Sequence, residues 1–249
     1  MIKRKTAREL EPMRRAGWIV AQTLELLRNM VRPGITTREL DRAAEELIRR
    51  LGGTPSFKGY RGYPATICTS VNEEIVHGIP GERRLVEGDI ISLDVGAIWE
   101  GYQGDAAITV GVGRISPQAQ HLLEATQRAL EAGIAAARAK ARLGDISHAV
   151  ELAARQAGCE VVREYGGHGI GREMHEEPRV PNWGPAGRGL VLEPGMTLAL
   201  EPMLTLGGFA TRVLADQWTV VTADKSLAAH FEHTIVITED GAEILTRSA

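Results

Sequence analysis

Apolar residues recur every three or four positions in four stretches of the chain, two near the N-terminus and two past its middle. This spacing predicts amphipathic helices, which we expect over residues 9–30, 36–51, 116–137 and 146–157. Pro33-Gly34 and Gly52-Gly53 end the first two helices, and Gly144 interrupts the second pair.

Four other stretches alternate apolar residues with small or polar ones, as a β-strand with two different faces does. They span residues 91–99, 105–112, 196–201 and 231–238. Each carries one acid on its polar face, and these acids are Asp94, Asp105, Glu201 and Glu232. A face of acids among small residues predicts a cavity lined by carboxylates.

The first two of these strands are expected to form a hairpin that turns between Trp99 and Gly104. If Asp94 lies directly opposite Asp105, their Cβ atoms are about 4.5–5.5 Å apart. Two carboxylates at that distance repel each other unless a cation or a shared proton lies between them. The hairpin therefore favours a bound metal ion.

The order of elements repeats along the chain. Two helices followed by acid-bearing strands occur in residues 9–112 and again in residues 116–238. The segments EGDIISLD and PGMTLALE align, so that Gly88 matches Gly195 and Asp94 matches Glu201. We expect one α+β domain over residues 1–249, built from two pseudo-symmetric halves that each contribute acids to a shared site.

His168 lies in the glycine-rich segment YGGHGIG and can add one nitrogen to the four carboxylates. Each of these residues taken alone is more typical of a solvated acid or a core histidine. Together they form a hard, oxygen-rich ligand set that suits Mn, Fe or Co, with Zn also compatible. Several carboxylates around one small volume favour two ions, as in two-metal hydrolytic sites.

Two further histidines lie in segments with the chemistry of an active site. His175 follows His168 in GHGIGREMHEEP, and His77 lies in NEEIVHGIP. Each could donate a hydrogen bond to a carbonyl or a leaving nitrogen, or be a turn histidine bonded to backbone. The other histidines are interpreted as ordinary structural residues: His121, His148, His230 and His233.

Composition limits the class of protein. The chain has 249 residues, 43% of them hydrophobic, and a net charge of -3, which does not indicate a nucleic-acid surface. The basic run Lys3, Arg4 and Lys5 is interpreted as a solvated start rather than a ribosome contact. Two cysteines without metal or redox spacing favour a reducing compartment. We expect a cytoplasmic monomer with no membrane span.

The segments quoted above, together with GYRGYPATICTSVNEEIVHGIP and AAHFEHTIVIT, resemble methionine aminopeptidases of type I over nearly the whole chain. The resemblance implies the pita-bread fold, an antiparallel sheet with helices on its outer side and a dinuclear metal site. It implies removal of the initiator methionine from nascent chains with a small second residue, by attack of a metal-bound hydroxide on the methionyl carbonyl. A transient ribosome contact is compatible with such substrates.

The same resemblance implies roles for individual residues. Asp94, Asp105, His168, Glu201 and Glu232 would bind the metal ions, with Asp105 and Glu232 as bridges. Glu201 would carry a proton, His175 would steady the tetrahedral intermediate and His77 would contact the amide nitrogen after methionine. The side-chain pocket would be formed by Tyr60, Tyr63, Cys68 and Trp218, with Phe57 nearby. For these pocket residues an ordinary core role is the alternative.

Spacing and departures refine the resemblance. Glu201 and Glu232 are too close in sequence for the helical insertion of type II enzymes, and the chain resembles the short bacterial form. Met174 stands where the family often has an aromatic residue, and Gly96 where it often has a hydroxyl residue. Pocket shape and metal affinity are the properties that these two departures affect.

Two other functions are compatible with parts of this pattern. A proline-peptide hydrolase would share the fold, but such enzymes usually carry a further N-terminal domain. A non-catalytic binding module of this fold would typically lose metal ligands, whereas this chain keeps all the predicted ones. Metal-dependent release of methionine separates the enzyme from the module.

Overall fold

The computed structural model describes residues 2–247, so the predicted domain of residues 1–249 extends past it by Met1, Ser248 and Ala249. The described residues form four α-helices, close to the predicted positions. They are α1 (Ala7–Met30), α2 (Thr37–Arg50), α3 (Pro117–Ala136) and α4 (Leu143–Gln156). The prediction that Gly144 interrupts the second pair is wrong, because Gly144 lies inside α4. A Cβ there would come within 2.5 Å of the Pro185 carbonyl oxygen, so packing explains this glycine.

The strands pair in antiparallel fashion throughout the described sheets, as predicted for an α+β domain. The strands are β1 (Thr54–Pro55), β2 (Ile67–Val71), β3 (Glu74–Val76), β4 (Ile90–Trp99), β5 (Tyr102–Gly111), β6 (Glu160–Val161), β7 (Gly166–Gly169), β8 (Glu176–Pro181), β9 (Thr197–Leu200), β10 (Met203–Thr205), β11 (Thr211–Val213), β12 (Val220–Thr222), β13 (Ala228–His230), β14 (His233–Ile237) and β15 (Ala242–Ile244). In spatial order the larger sheets run β1-β4-β2, with β5 on β4, and β15-β14-β9-β7-β8. Two smaller sheets run β13-β10-β6 and β11-β12-β3.

The hairpin of β4 and β5 has a different register from the predicted one. Asp94 lies opposite Ala107, and Asp105 lies opposite Gly96. The reason is the turn, which consists of Glu100 and Gly101, both at positive φ (48° and 76°). This pair of left-handed residues is typical of a two-residue hairpin turn. The register moves by two positions, so both acids stay on one face, but diagonally rather than directly opposite.

The two larger sheets meet at the acids. The Glu232 backbone N–H donates to the Ala107 carbonyl oxygen at 2.8 Å, although Ala107 also pairs with Asp94 in the hairpin. Two residues away, the Asp105 N–H donates to Thr234 Oγ1 at 3.0 Å. Adjacent strands lie about 4.8 Å apart. Backbone pairing therefore brings Asp94, Asp105 and Glu232 side by side.

Helix α1 packs against β4 and β5 and fixes the hairpin from outside the site. A Cβ on Gly104 would lie 2.7 Å from the Gly17 nitrogen. A Cβ on Gly17 would lie 2.2 Å from the Leu245 carbonyl oxygen, beside the C-terminal residues that follow β15. The hairpin can therefore approach α1 closely because Gly104 lacks a side chain, and the C-terminal residues can do so because Gly17 lacks one.

The expected solvated N-terminus is wrong for its last basic residue. The Lys5 side chain is buried, with the residue 8% exposed, and its Nζ lies 2.7 Å from Glu176 Oε2. Arg4 bonds Glu193 at 3.1 Å. Sequence charge alone could not show this, because the acidic partners lie more than 170 positions away along the chain. Within residues 2–247, no helix combines the length and apolarity needed to span a membrane.

Gly17→Ala tests the close approach of α1. Helix propensity alone favours alanine by about 1 kcal/mol, but the contact with Leu245 leaves no room for the methyl group. We expect net destabilisation of about 1–3 kcal/mol, the usual scale of overpacking, measured by urea unfolding. Gly81→Ala is the control, because a Cβ at Gly81 meets nothing within 4 Å. Equal stability of the two variants would contradict the packing argument.

Candidate metal centre and active site

The structure brings all the predicted metal ligands to one cavity of about 160 Å³. One ligand atom from each of Asp105, His168 and Glu232 lies within 4.8 Å of the other two. Glu201 Oε1 lies 3.5 Å from His168 Nε2, and Asp94 and Asp105 lie on one face of the hairpin, diagonal to each other. The cluster thus draws on β4, β5, β7 and the ends of β9 and β14.

Burial controls the charge of these acids. It raises the pKa of Asp94 to about 7 and, with repulsion from Asp94, the pKa of Glu201 to about 8. Burial and the neighbouring acids raise the pKa of Asp105 and of Glu232 well above their usual range. Without a counter-charge the cluster therefore retains protons near neutral pH.

Unpaired oxygens show what the cluster lacks. Asp94 Oδ1, Asp105 Oδ1 and Glu232 Oε1 are buried and find no hydrogen-bond partner in residues 2–247. A buried acceptor without a partner costs about 1–3 kcal/mol or more when it is charged. Carboxylate oxygens are the ligands that hard divalent cations prefer. The donor set therefore fits divalent metal binding.

The His168 tautomer also suits a metal ligand. Its Nδ1 lies 2.9 Å from the Gly169 carbonyl oxygen. Because a carbonyl only accepts, Nδ1 carries the hydrogen and Nε2 keeps its lone pair toward Glu201. A ligating histidine commonly bonds a carbonyl through its other nitrogen. Burial, with a smaller effect of His175, lowers the pKa of His168 to about 4, so the ring is neutral at pH 7.

The two predicted catalytic histidines border the same cavity. Tyr60 Oη lies 2.8 Å from His175 Nδ1, which leaves His175 Nε2 free for another contact. The His175 ring centroid is 4.2 Å from that of His168. His77 has a positive φ of 62°, and burial lowers its pKa to about 4.

The predicted apolar pocket adjoins the acids. Its members that line the cavity are Phe57, Tyr60, Tyr63, Cys68 and Trp218. Tyr63 and Trp218 pack edge to face, with centroids 5.1 Å apart. Tyr63 Oη donates to the Gly78 carbonyl oxygen at 2.9 Å, which ties the pocket to the segment after His77.

The loop that carries Met174 and His175 is held in place by Glu176 and Lys5. The Arg172 N–H donates to Glu176 Oε1 at 2.9 Å, and Glu176 Oε2 pairs with buried Lys5. The N-terminal lysine thus supports the loop of the candidate catalytic histidine.

The two departures from the family pattern are in contact. A Cβ on Gly96 would lie 2.7 Å from Phe57 Cε1 and 3.0 Å from Met174 Cε. The volume that a larger residue at position 96 would fill is therefore occupied by Phe57 and Met174. The sequence showed the two substitutions but not their contact.

Two cavity neighbours escaped the sequence interpretation. The first is Arg61, which lines the cavity beside Tyr60. The only sequence feature that pointed to it was its place in the segment between Gly59 and Gly62. The second is His230, which the sequence pattern gave no reason to place beside the acids. Its Nε2 lies 3.9 Å from Glu201 Oε2 and 3.8 Å from Glu232 Oε2. The available signal was its position two residues before Glu232.

Comparison with known proteins gives the family of this chain. The model of metallopeptidase family M24 matches residues 11–239. The chain belongs to this family. The methionine aminopeptidase 1 of Bacillus subtilis is 53% identical to it over 247 residues, which cover 99% of this chain and 100% of the relative. The resemblance drawn from the motifs is thereby confirmed.

Two solved structures confirm the predicted pita-bread fold. A methionine aminopeptidase from Thermotoga maritima superposes with a TM-score of 0.98 at 47% identity, covering 99% of this chain and 100% of that one. The prolidase from Pyrococcus furiosus superposes with a TM-score of 0.79 at 23% identity, covering 99% of this chain and 66% of that one. The second likeness shows the shared fold alone.

The raised carboxyl pKa values predict how the metal-free M24 domain responds to pH. A raised pKa stabilises the fold while the group is protonated, and this stability is lost as pH rises through about 7 for Asp94 and about 8 for Glu201. The buried histidines have lowered pKa values, so their contribution to stability rises with pH, but only below their unfolded pKa of about 6.5. We expect the melting temperature of chelator-treated protein to fall between about pH 6.5 and 8.5.

Calorimetry with and without Mn²⁺ checks this expectation. The ion should raise the melting temperature more at the higher pH, because fewer protons must then leave the ligands. Glu232→Gln should reduce the pH dependence of the metal-free protein. A melting temperature that stays constant or rises over this interval would contradict the assignment of the buried acids.

Proposed function

We propose that this M24 metallopeptidase is a methionine aminopeptidase, which removes the N-terminal methionine from nascent proteins and peptides with a small second residue. The observation that carries the proposal is one cavity in which buried carboxylates adjoin a pocket of aromatic and sulfur-containing side chains. The close likeness to methionine aminopeptidases over the full chain supports it.

Two divalent ions are the proposed cofactors, with Mn, Fe or Co preferred and Zn compatible. Asp94, Asp105, His168, Glu201 and Glu232 would hold them, since all five line one cavity. When bound, the ions would polarise the scissile carbonyl and make water more acidic. The unpaired oxygens of Asp94, Asp105 and Glu232 support this ligand set.

The remaining polar residues position the substrate and move its protons. Glu201 is the proposed proton carrier, since it borders the cavity beside His168. His175 Nε2 would donate to the oxygen that gains negative charge, because Tyr60 already engages Nδ1. His77 would contact the amide nitrogen that follows methionine. Such donors act strongly in a site from which water is excluded.

The apolar pocket is proposed to hold the methionine side chain. A thioether packs favourably against aromatic rings, and Tyr60, Tyr63 and Trp218 supply these, with Cys68 beside them. Phe57 and Met174 fill the space next to Gly96 and so set the depth of the pocket. Met-Ala peptides should therefore be cleaved in preference to Xaa-Pro peptides, which separates this function from that of a proline-peptide hydrolase.

We further propose that the protein works in the cytoplasm as a monomer, on chains that leave the ribosome. Cys68 and Cys159 are both buried and free, which fits a reducing compartment. Lys5 is buried against Glu176, so a ribosome contact would have to use other residues.

Removal of one carboxylate charge tests the metal centre. We expect Asp105→Asn and Glu201→Gln to lose metal content and more than about 10³-fold of kcat on Met-Ala-Ser, the scale of losing essential electrostatic catalysis. Metal analysis after gel filtration and a methionine-release assay measure the two effects. Glu46→Gln, at an exposed acid of α2, is the control and should behave as the wild type.

Full metal content in Asp105→Asn with unchanged turnover would overturn the ligand assignment. Absence of methionine release by metal-loaded wild-type protein would overturn the proposed function itself. The two failures are distinct, because the first leaves the activity intact.

The role of His175 is tested separately. We expect His175→Ala to keep its metal and to lose about 10²–10³-fold in kcat, as on removal of one oxyanion donor. The change should fall on kcat more than on KM, because the charge develops only in the transition state. His148→Ala, at an exposed position of α4, serves as the control. Unchanged kcat in His175→Ala would remove this residue from the mechanism.

A further inference from the structure

His230 is a buried imidazole with an unmet hydrogen-bonding need at the metal centre. The residue ends β13, is 2% exposed, and its Nε2 has no hydrogen-bond partner among the described residues. This nitrogen lies 3.9 Å from Glu201 Oε2 and 3.8 Å from Glu232 Oε2. The ring thus faces two carboxylates from different strands.

The backbone of His230 is held firmly, so the ring position is set by the fold. The His230 N–H donates to Thr109 Oγ1 at 2.9 Å, and the Thr109 hydroxyl donates to the His230 carbonyl oxygen at 2.7 Å. Thr109 lies on β5, the strand of Asp105, and its hydroxyl also contacts Ser92 Oγ at 2.8 Å. His230 is therefore fixed to the same hairpin that carries Asp94 and Asp105.

Chemistry decides between two uses of this nitrogen. An ionised carboxylate only accepts hydrogen bonds, whereas a neutral imidazole has one N–H donor and one lone pair. The side chains whose ligand atoms cluster within 4.8 Å are Asp105, His168 and Glu232, and His230 is not among them. A donor role toward a carboxylate needs a movement of less than about 1 Å to reach hydrogen-bond length. His230 lies outside that cluster, so the donor role is the one that leaves the clustered ligand atoms in place.

We propose that His230 is a positioning residue of the metal centre, whose Nε2–H hydrogen bonds the carboxylate of Glu201 or Glu232 and holds it in the orientation that binds the ions. This inference rests on the proposed function only in that it takes the carboxylates to be metal ligands. Ligating carboxylates are commonly held by such outer hydrogen bonds, and loss of one typically costs 10–100-fold in metal affinity.

Metal binding to the full chain tests the proposal without reference to turnover. Titration calorimetry with Mn²⁺ and the visible absorption of the Co²⁺-loaded protein are compared for wild type, His230→Gln and His230→Leu. Glutamine keeps a nitrogen donor at a similar distance, whereas leucine keeps the bulk and removes the donor. We expect about 10–100-fold weaker Mn²⁺ binding in His230→Leu, with most of the affinity restored in His230→Gln and a Co²⁺ spectrum close to that of the wild type.

His233→Leu is the matched control, three residues further along. Its Nδ1 is already paired with Thr246 Oγ1 at 2.8 Å, so Mn²⁺ affinity should not change. Circular dichroism of the metal-free variants shows whether they fold, and His230→Ala replaces His230→Leu if the leucine is not accommodated.

Two results would overturn the proposal. Equal Mn²⁺ affinity in wild type and in the folded variants without a donor would show that the nitrogen is not used. Equal weakening in His230→Gln and His230→Leu, with an altered Co²⁺ spectrum in both, would show a direct ligand instead. Failure of the proposed function is distinguishable, because wild-type protein would then bind Mn²⁺ but release no methionine.

Discussion

The charge of four carboxylates confined to one buried volume is the constraint on which the rest of this structure depends. Two unit charges 4 Å apart interact by about 4 kcal/mol at an effective dielectric constant of 20. Taking each charge out of water costs several kcal/mol more. A domain with a net stability of about 5–15 kcal/mol cannot hold four ionised, unpaired acids in this way. Either protons or cations must neutralise them, and the raised pKa values and unpaired oxygens are two expressions of the same deficit.

The fold creates this deficit through backbone pairing rather than through the acids themselves. Ala107 pairs with Asp94 on one side and hydrogen bonds Glu232 on the other. Gly104 lets the hairpin lie close against α1, and Gly17 lets the C-terminal residues lie close to the same helix. Apolar packing and strand pairing thus supply the free energy that forces the carboxylates together. Pre-organised ligands of this kind bind cations without a large rearrangement of the backbone.

The periodicity of apolar residues was enough to predict most of the secondary structure. The four helices, the alternating strands and the shared face of Asp94 and Asp105 could all be inferred from periodicity. The predicted centre of the hairpin turn was one position too early, which changes the pairing register by two residues. Because side chains alternate between the two faces of a strand, a change of two leaves both acids on the same face. The burial of Lys5 could not be inferred, because its partner Glu176 is distant in sequence. The internal two-fold relation of the halves stays a prediction, which the positive φ of Gly88 (92°) and Gly195 (88°) supports.

The substitutions at positions 96 and 174 are best understood as one change in packing. Gly96 removes a side chain beside Asp105, and Phe57 and Met174 close around the gap. A methionine adapts to an irregular space better than a planar ring does, so Met174 can follow the position of Phe57. Phe57 and Met174 therefore form a closed pocket wall beside Gly96, in which Met174 contributes a thioether rather than an aromatic ring. The strand register positions the acids, and a side chain at position 96 does not set that register.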